Sequence, residues 1–248
     1  MKLSIVALFF AVFAVVYAQP LNSTSIELSD ESSESPNFGS LWYFFKKMVT
    51  KPVKVVKSFY HKLFNSNDIC HGYECPKYTL KKKTDNYELR CYPSYTWVGT
   101  SYTGKRRSRM TRRDMFMRLF RYISGANKEK VKIEMTVPVA TSYDAMGNKT
   151  KFTMLFFAPE KYQTSTPMPT NPQVAIVKLP KICVYVRTFS WFMGDAKVKR
   201  EVKKLADTLT KDGITDFTSP SISYISGGYD SPFTWPFLRH NEVWLLQK

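Results

Sequence analysis

The order of short segments is stated twice along this chain, and that repetition constrains its fold more than any other feature. In the first statement an apolar strand pattern at 96–102 is followed by a helical stripe of Met115, Phe116, Leu119, Phe120 and Ile123, which Gly125 stops. Ile133, Met135, Val137 and Val139 then alternate as a strand with one buried face does, and 152–157 makes the next strand. In the second statement strands at 174–178 and 181–189 precede a helix with Val198, Val202, Leu205 and Leu209 inward and Gly213 at its end; strands at 221–226 and 242–247 follow. Tyr92-Pro93 and Leu179-Pro180 stand at matching places before the two helices. Two strand-helix-strand-strand units of this kind predict an α+β fold: duplicated β-α-β-β units closing a mostly antiparallel, barrel-like sheet that two helices flank. Ahead of them, 77–83 and 86–92 form a hairpin across a Thr84-Asp85 turn, with Tyr78, Leu80, Tyr87, Leu89 and Cys91 on one face.

The segments before this body differ in kind. Residues 1–18 have a basic start, an apolar run from Leu3 to Val16 and a small residue before Gln19, the pattern of a signal peptide, so the protein is expected to be secreted. Residues 19–39 form an acidic leader expected to be disordered. Residues 40–69 are a basic amphipathic helical segment, in which Val56, Phe59, Tyr60, Leu63 and Phe64 share a helix face that packs on the protein's own domain or on an anionic membrane surface. The domain proper is 70–248.

Export sets how the cysteines read. Cys70, Cys75, Cys91 and Cys183 allow three pairings; the short His-Gly-Tyr-Glu loop favours Cys70 with Cys75, which leaves Cys91 with Cys183. A zinc site finds no support, since only His61, His71 and His240 exist and no second cysteine pair has ligand spacing. Asn22 in Asn-Ser-Thr and Asn148 in Asn-Lys-Thr are glycan acceptors by pattern.

From Gly39 onward there are 36 basic and 16 acidic residues. Eight of the basic ones, Lys105, Arg106, Arg107, Arg109, Arg112, Arg113, Arg118 and Arg121, fall within seventeen residues and make one face of the first helix strongly cationic. Such a face attracts haem propionates, anionic lipid or sulfated glycan, but no nucleic-acid reading motif accompanies it. No Gly-rich phosphate loop, Gly-x-Ser-x-Gly or His-Glu-x-x-His occurs, so an enzyme is the weakest reading.

Several runs resemble the SOUL haem-binding family: Tyr87-Glu88-Leu89-Arg90-Cys91-Tyr92, Ile133-Glu134-Met135-Thr136-Val137-Pro138-Val139, Gly228-Tyr229-Asp230-Ser231-Pro232 and Arg239-His240-Asn241-Glu242-Val243-Trp244-Leu245. They keep the family's order from about Cys75 to the carboxyl end. The resemblance implies a duplicated barrel with an apolar groove that binds haem or a related tetrapyrrole without catalysis; the chain is expected to be a monomer. It carries over Arg113 for a propionate and Phe116, Met117 and Phe120 for the ring, although Phe116 and Phe120 also belong to the helix's core stripe. Cys91 stands where some relatives have a proposed histidine ligand; as a thiolate it holds iron, as a disulfide it does not. After Pro232 a family lysine gives way to Phe233-Thr234-Trp235-Pro236-Phe237, and Arg239 is the nearest basic substitute. His240 is an iron ligand or a hydrogen-bonded surface histidine. The alternative to tetrapyrrole binding is a cationic secreted protein that binds membranes or polyanions.

Overall fold

The computed structural model describes residues 69–248. The signal peptide, the acidic leader, nearly all of the basic segment and Asn22 lie outside the described residues.

Among the described residues, nine strands form one antiparallel sheet, and two helices cover it. The strands are β1 (Thr79–Lys83), β2 (Glu88–Tyr92), β3 (Tyr95–Gly104), β4 (Val139–Met146), β5 (Lys149–Phe157), β6 (Ala175–Leu179), β7 (Ile182–Phe189), β8 (Ser223–Gly228) and β9 (Asn241–Leu246). Helix α1 is Arg109–Ile123 and α2 is Asp195–Lys211. The spatial order is β1-β2-β7-β9-β8-β4-β5-β3-β6.

This order makes the duplication visible. Removing β1 leaves a palindrome about the β8–β4 pair: β9 and β5, then β7 and β3, then β2 and β6 stand at equal distances on either side. Each half gives its first strand to the other, because β2 pairs with β7 and β6 pairs with β3. The two exchanges meet in register, Tyr92 opposite Ile182 and Tyr95 opposite Leu179. The bends that allow this are Pro93-Ser94 and Pro180-Lys181, so the paired prolines mark where a strand leaves one half for the other. Proline serves there because its missing N–H is not needed between ladders.

Period-2 alternation puts two different cores on the two faces. Towards the helices lie Tyr87, Val98, Tyr143, Phe152, Met154, Phe156, Tyr185, Tyr224, Val243 and Leu245, closed over by Met115, Leu119 and Tyr122 of α1 and Val198, Val202, Leu205 and Leu209 of α2. The opposite, inner face of the curled sheet holds Tyr92, Trp97, Ala140, Leu155, Phe157, Val184, Val186, Ile225 and Trp244. The sheet is therefore buried on both faces, not on one.

Two sequence expectations are corrected. The alternating run Ile133 to Val139 is not a strand: the Ile133 N–H donates to the Ile123 carbonyl at 2.8 Å and the Val137 N–H to the Glu74 carbonyl at 3.0 Å, so its backbone is committed elsewhere. Val137–Pro138 is a cis peptide, Pro138 has no N–H, and strand pairing begins only with β4 at Val139. In the hairpin, Tyr78 does not share the face of Leu89. Thr79 pairs with Cys91 and Leu80 with Arg90, so Tyr78 and Leu80 lie on the face opposite Leu89 and Cys91, and Tyr78 packs on Tyr92 of the inner face. The other expected strands and both helices are present.

Candidate functional site

Helix α1 begins at Ser108, whose hydroxyl accepts the Thr111 N–H at 3.0 Å. Helical spacing then sorts its side chains. Met115, Leu119, Tyr122 and Ile123 are buried, whereas Phe116 and Phe120 lie on the flank, half-buried, with ring planes 13° from parallel and centroids 5.9 Å apart. Phe116 is held from beneath by the edge of Phe156. Arg113 is exposed three residues before Phe116, and Met117 is half-buried beside it. One helix flank thus brings together four residues expected at a site: Arg113, Phe116, Met117 and Phe120. The two phenylalanines serve core and flank together, since both pack against the helix-side core.

The arginine cluster is less uniform than its sequence. Arg107 is buried: it donates to the Tyr143 hydroxyl at 2.9 Å and to Asp195 Oδ1 at 2.9 Å, and its guanidinium lies 5.2 Å from the Phe152 ring. Arg112 reaches the same Asp195 oxygen at 3.2 Å. Asp195, the first residue of α2, ties the starts of the two helices together, a counter-charge the sequence reading missed. Burial pushes the Tyr143 hydroxyl up in pKa, against the pull of Arg107, so it stays a donor. Arg106, Arg109, Arg113 and Arg121 are exposed and have no acidic partner among the described residues.

The inner face contains a second constellation. Glu242 of β9 is fully buried, and all its carboxylate lone pairs are taken: Oε1 accepts from Arg90 Nη1 at 2.9 Å and His240 Nε2 at 2.8 Å, and Oε2 from the Tyr229 hydroxyl and Trp244 Nε1, each at 2.8 Å. Burial alone raises a carboxyl pKa, but these donors outweigh it and hold Glu242 down at about 2. Arg90 also pairs with Glu88 at 2.7 Å and lies 4.5 Å from the Tyr78 ring. Next to this network the aromatic wall of Tyr92, Tyr95, Trp97 and Trp244 leaves a void for about one water molecule. The protein's own side chains pack the inner face, which leaves no space there for a macrocycle, whereas on the α1 flank Arg113 is exposed and Phe116, Met117 and Phe120 are half-buried.

Cys91 is bonded to Cys183, its cross-strand partner, and Cys70 to Cys75, so all four cysteines are spent. The Cys91 sulfur therefore offers no thiolate to iron, which corrects its candidacy as a ligand. His240 gives Nε2 to Glu242. Arg239 donates to the carbonyls of Thr234 at 3.0 Å and Pro232 at 2.6 Å, so it braces the β8–β9 connection. Asn148 is exposed in the tight β4–β5 turn. No group of three or more metal-ligating side chains occurs among the described residues.

The protein is thus a duplicated α+β domain with exchanged first strands, a filled inner face and an aromatic, arginine-flanked first helix. Residues 73–246 match the SOUL heme-binding protein model, and the chain belongs to that family. It is 33% identical over 168 residues to heme-binding protein 2 of Homo sapiens, covering 66% of this chain and 78% of the human protein. It is 29% identical over 164 residues to heme-binding protein 1 of Xenopus tropicalis, covering 65% and 83%. Among solved structures it is similar to the EcmrR C-terminal domain, with a TM-score of 0.49 and 9% identity over 69% of this chain and 98% of that one.

Proposed function

We propose that this protein is a secreted, monomeric, non-enzymatic binder of haem or a related tetrapyrrole, and that it holds the ligand on the outer flank of α1. The observation that carries the reading is the near-parallel Phe116–Phe120 pair beside exposed Arg113 in a chain of this family. Flat apolar rings stack on such a pair, and guanidinium groups meet the propionates through charge-assisted hydrogen bonds. Met117 adds a polarizable contact on the same flank. With Cys91 in a disulfide, recognition rests on ring and propionates without a cysteine ligand to iron.

Titration with haemin is expected to shift the Soret band saturably at one equivalent, with a Kd of about 1 μM or tighter. Metal-free protoporphyrin should bind within a few-fold of haemin. Arg113→Ala should weaken both by about three- to tenfold, the worth of one partly exposed charge-assisted contact. Non-saturating spectra, or haemin affinity indifferent to Arg113, would refute the site.

A second reading is favoured by Arg106, Arg109, Arg113 and Arg121, exposed and without acidic partners: attraction of this face to sulfated glycan or anionic lipid. Heparin retention should then fall steeply between about 0.1 and about 0.5 M salt and should drop further in Arg106→Glu/Arg109→Glu. Retention that ignores both salt and charge reversal dismisses it.

A further inference from the structure

Two loops at one end of the sheet expose aromatic side chains that neither core accounts for. Trp191 and Phe192 sit between β7 and α2; Phe233, Trp235 and Phe237 sit between β8 and β9. Their exposures are 57% and 60%, then 62%, 63% and 60%. The four described tryptophans divide cleanly, since Trp97 and Trp244 are core residues at 4% and 3% whereas Trp191 and Trp235 stand in these loops.

The loops are built together. The Trp191 N–H donates to the Pro236 carbonyl at 2.8 Å, and the Trp191 carbonyl accepts from Asn241 Nδ2 at 2.9 Å. Both hydrogen bonds fix a residue whose φ is +78°, a left-handed conformation that a tryptophan rarely adopts. Arg239 braces the second loop through two carbonyls and lays its guanidinium 4.9 Å from the Phe192 ring of the first. The Trp235 and Phe237 rings contact each other at 6.3 Å. Backbone and cation are thus satisfied internally, and the outward-facing surface is ring.

The geometry points to these paired loops as a docking surface for an anionic phospholipid bilayer, which the five rings enter at the level of the headgroups. Large exposed apolar patches mark interaction sites, and tryptophan, with an apolar body and one N–H, favours the bilayer–water interface. The first loop, 190–194, contains no acidic residue, and the one acidic residue of the second, Asp230, is buried against His71 and accepts the His240 N–H, so no exposed carboxylate in the loops faces anionic headgroups. The whole chain carries a net charge of +17, which draws it towards such a surface. The inference goes beyond tetrapyrrole binding and stands without it. It also differs from the attraction of the α1 arginines, because the insertion of rings persists when salt screens charge.

The test uses the protein as cells process it and vesicles of phosphatidylcholine with about 30% phosphatidylserine. Cosedimentation should show binding that declines with salt but retains a component at about 0.5 M, where exposed charges are largely screened. The triple variant Phe233→Ser, Trp235→Ser and Phe237→Ser should lose that component, with a fall of about tenfold or more in partition coefficient. Its thermal melt should match the parent's, since all three residues are exposed. Arg106→Glu/Arg109→Glu should lower binding at low salt and leave the high-salt component intact. In a Trp42→Phe background, which removes the one tryptophan outside the described residues, lipids brominated near the glycerol backbone should quench tryptophan emission, and the quenching should vanish on Trp191→Phe/Trp235→Phe. Equal partitioning of the triple variant and the parent overturns the proposal, as does emission untouched by brominated lipid. A dimer in sedimentation equilibrium that the triple variant dissociates, with no high-salt vesicle binding, reassigns the surface to a second copy and overturns it too. Failure of haemin to bind leaves these outcomes unaltered, so the two proposals fail separately.

Discussion

Glu242→Gln is expected to destabilise the folded domain by about 3–5 kcal/mol, the usual cost of removing one partner from a buried ion pair. The carboxylate accepts four hydrogen bonds at 2.8–2.9 Å in a fully buried position. An amide keeps its shape but presents two donors where Oε1 or Oε2 accepted, so two facing N–H or O–H groups lose their acceptor. Arg90, 3% exposed at its side chain, keeps only Glu88 as a charged partner. Urea titration should show a lower midpoint at unchanged slope. Arg90→Met/Glu242→Leu should recover part of the loss, because an apolar pair of similar volume needs no partners. A midpoint change worth less than about 1 kcal/mol for the glutamine variant would mean that the network does not stabilise the fold.

The same carboxylate gives a signed pH dependence. Its folded pKa, about 2, lies below the ordinary 4.5, so the folded state binds fewer protons than the unfolded one across that window. The contribution is fully present above about 4.5, declines on acidification and is gone below about 2; at 1.36 kcal/mol per unit it amounts to about 3 kcal/mol. Acid unfolding of the parent should steepen between pH 4.5 and 2, and Glu242→Gln should flatten that window.

How legible the molecule is in its sequence depends on whether a residue's partner is near in the chain. The stripes of α1 and α2 were legible because helical spacing places their buried residues a turn apart. Strands β3, β5, β7 and β9 were legible as short apolar runs in a repeated element order. Strand β4, Val139–Met146, was not: Thr141, Ser142 and Asp144 dilute its hydrophobic signal, while its position beside β8 at the centre of the sheet is a long-range fact. The run just before it alternates better yet spends its N–H groups on Ile123 and Glu74. Duplication was readable in the element order, but the exchange of first strands was not, since two prolines reveal a bend and not its destination.

The candidate site divides along the same line. Arg113, Phe116, Met117 and Phe120 fall on one helix flank, so their proximity follows from spacing alone. That Arg107 is withdrawn from the cationic face depends on Asp195, 88 residues away. Glu242 sits 152 residues from Arg90, and only its place at an inward position between apolar neighbours hinted that it had to be paired. The outward rings of Trp191 and Phe192 follow from the hydrogen bonds of one backbone position, which no pattern of side chains announces.

Removing the Cys91–Cys183 disulfide is the other large perturbation. This bond joins β2 of the first half to β7 of the second, across a sequence separation of 92 residues, at the place where the halves exchange strands. Chain-entropy reasoning assigns a loop of that length about 4–5 kcal/mol, and the separation of 5 residues between Cys70 and Cys75 about 2 kcal/mol. Cys91→Ala/Cys183→Ala should therefore lose about 2–3 kcal/mol more than Cys70→Ala/Cys75→Ala in urea titrations, and reductant should lower the parent towards the first variant. If the two losses are equal, or their order is reversed, the long bond does not hold the exchanged strands in place. The Cys91→Ala/Cys183→Ala variant, assayed below its unfolding midpoint, should give the parent's haemin spectrum, because its sulfurs were never available to iron. A changed Soret band in the folded variant would place the β2–β7 edge in the tetrapyrrole site and move that site off the α1 flank.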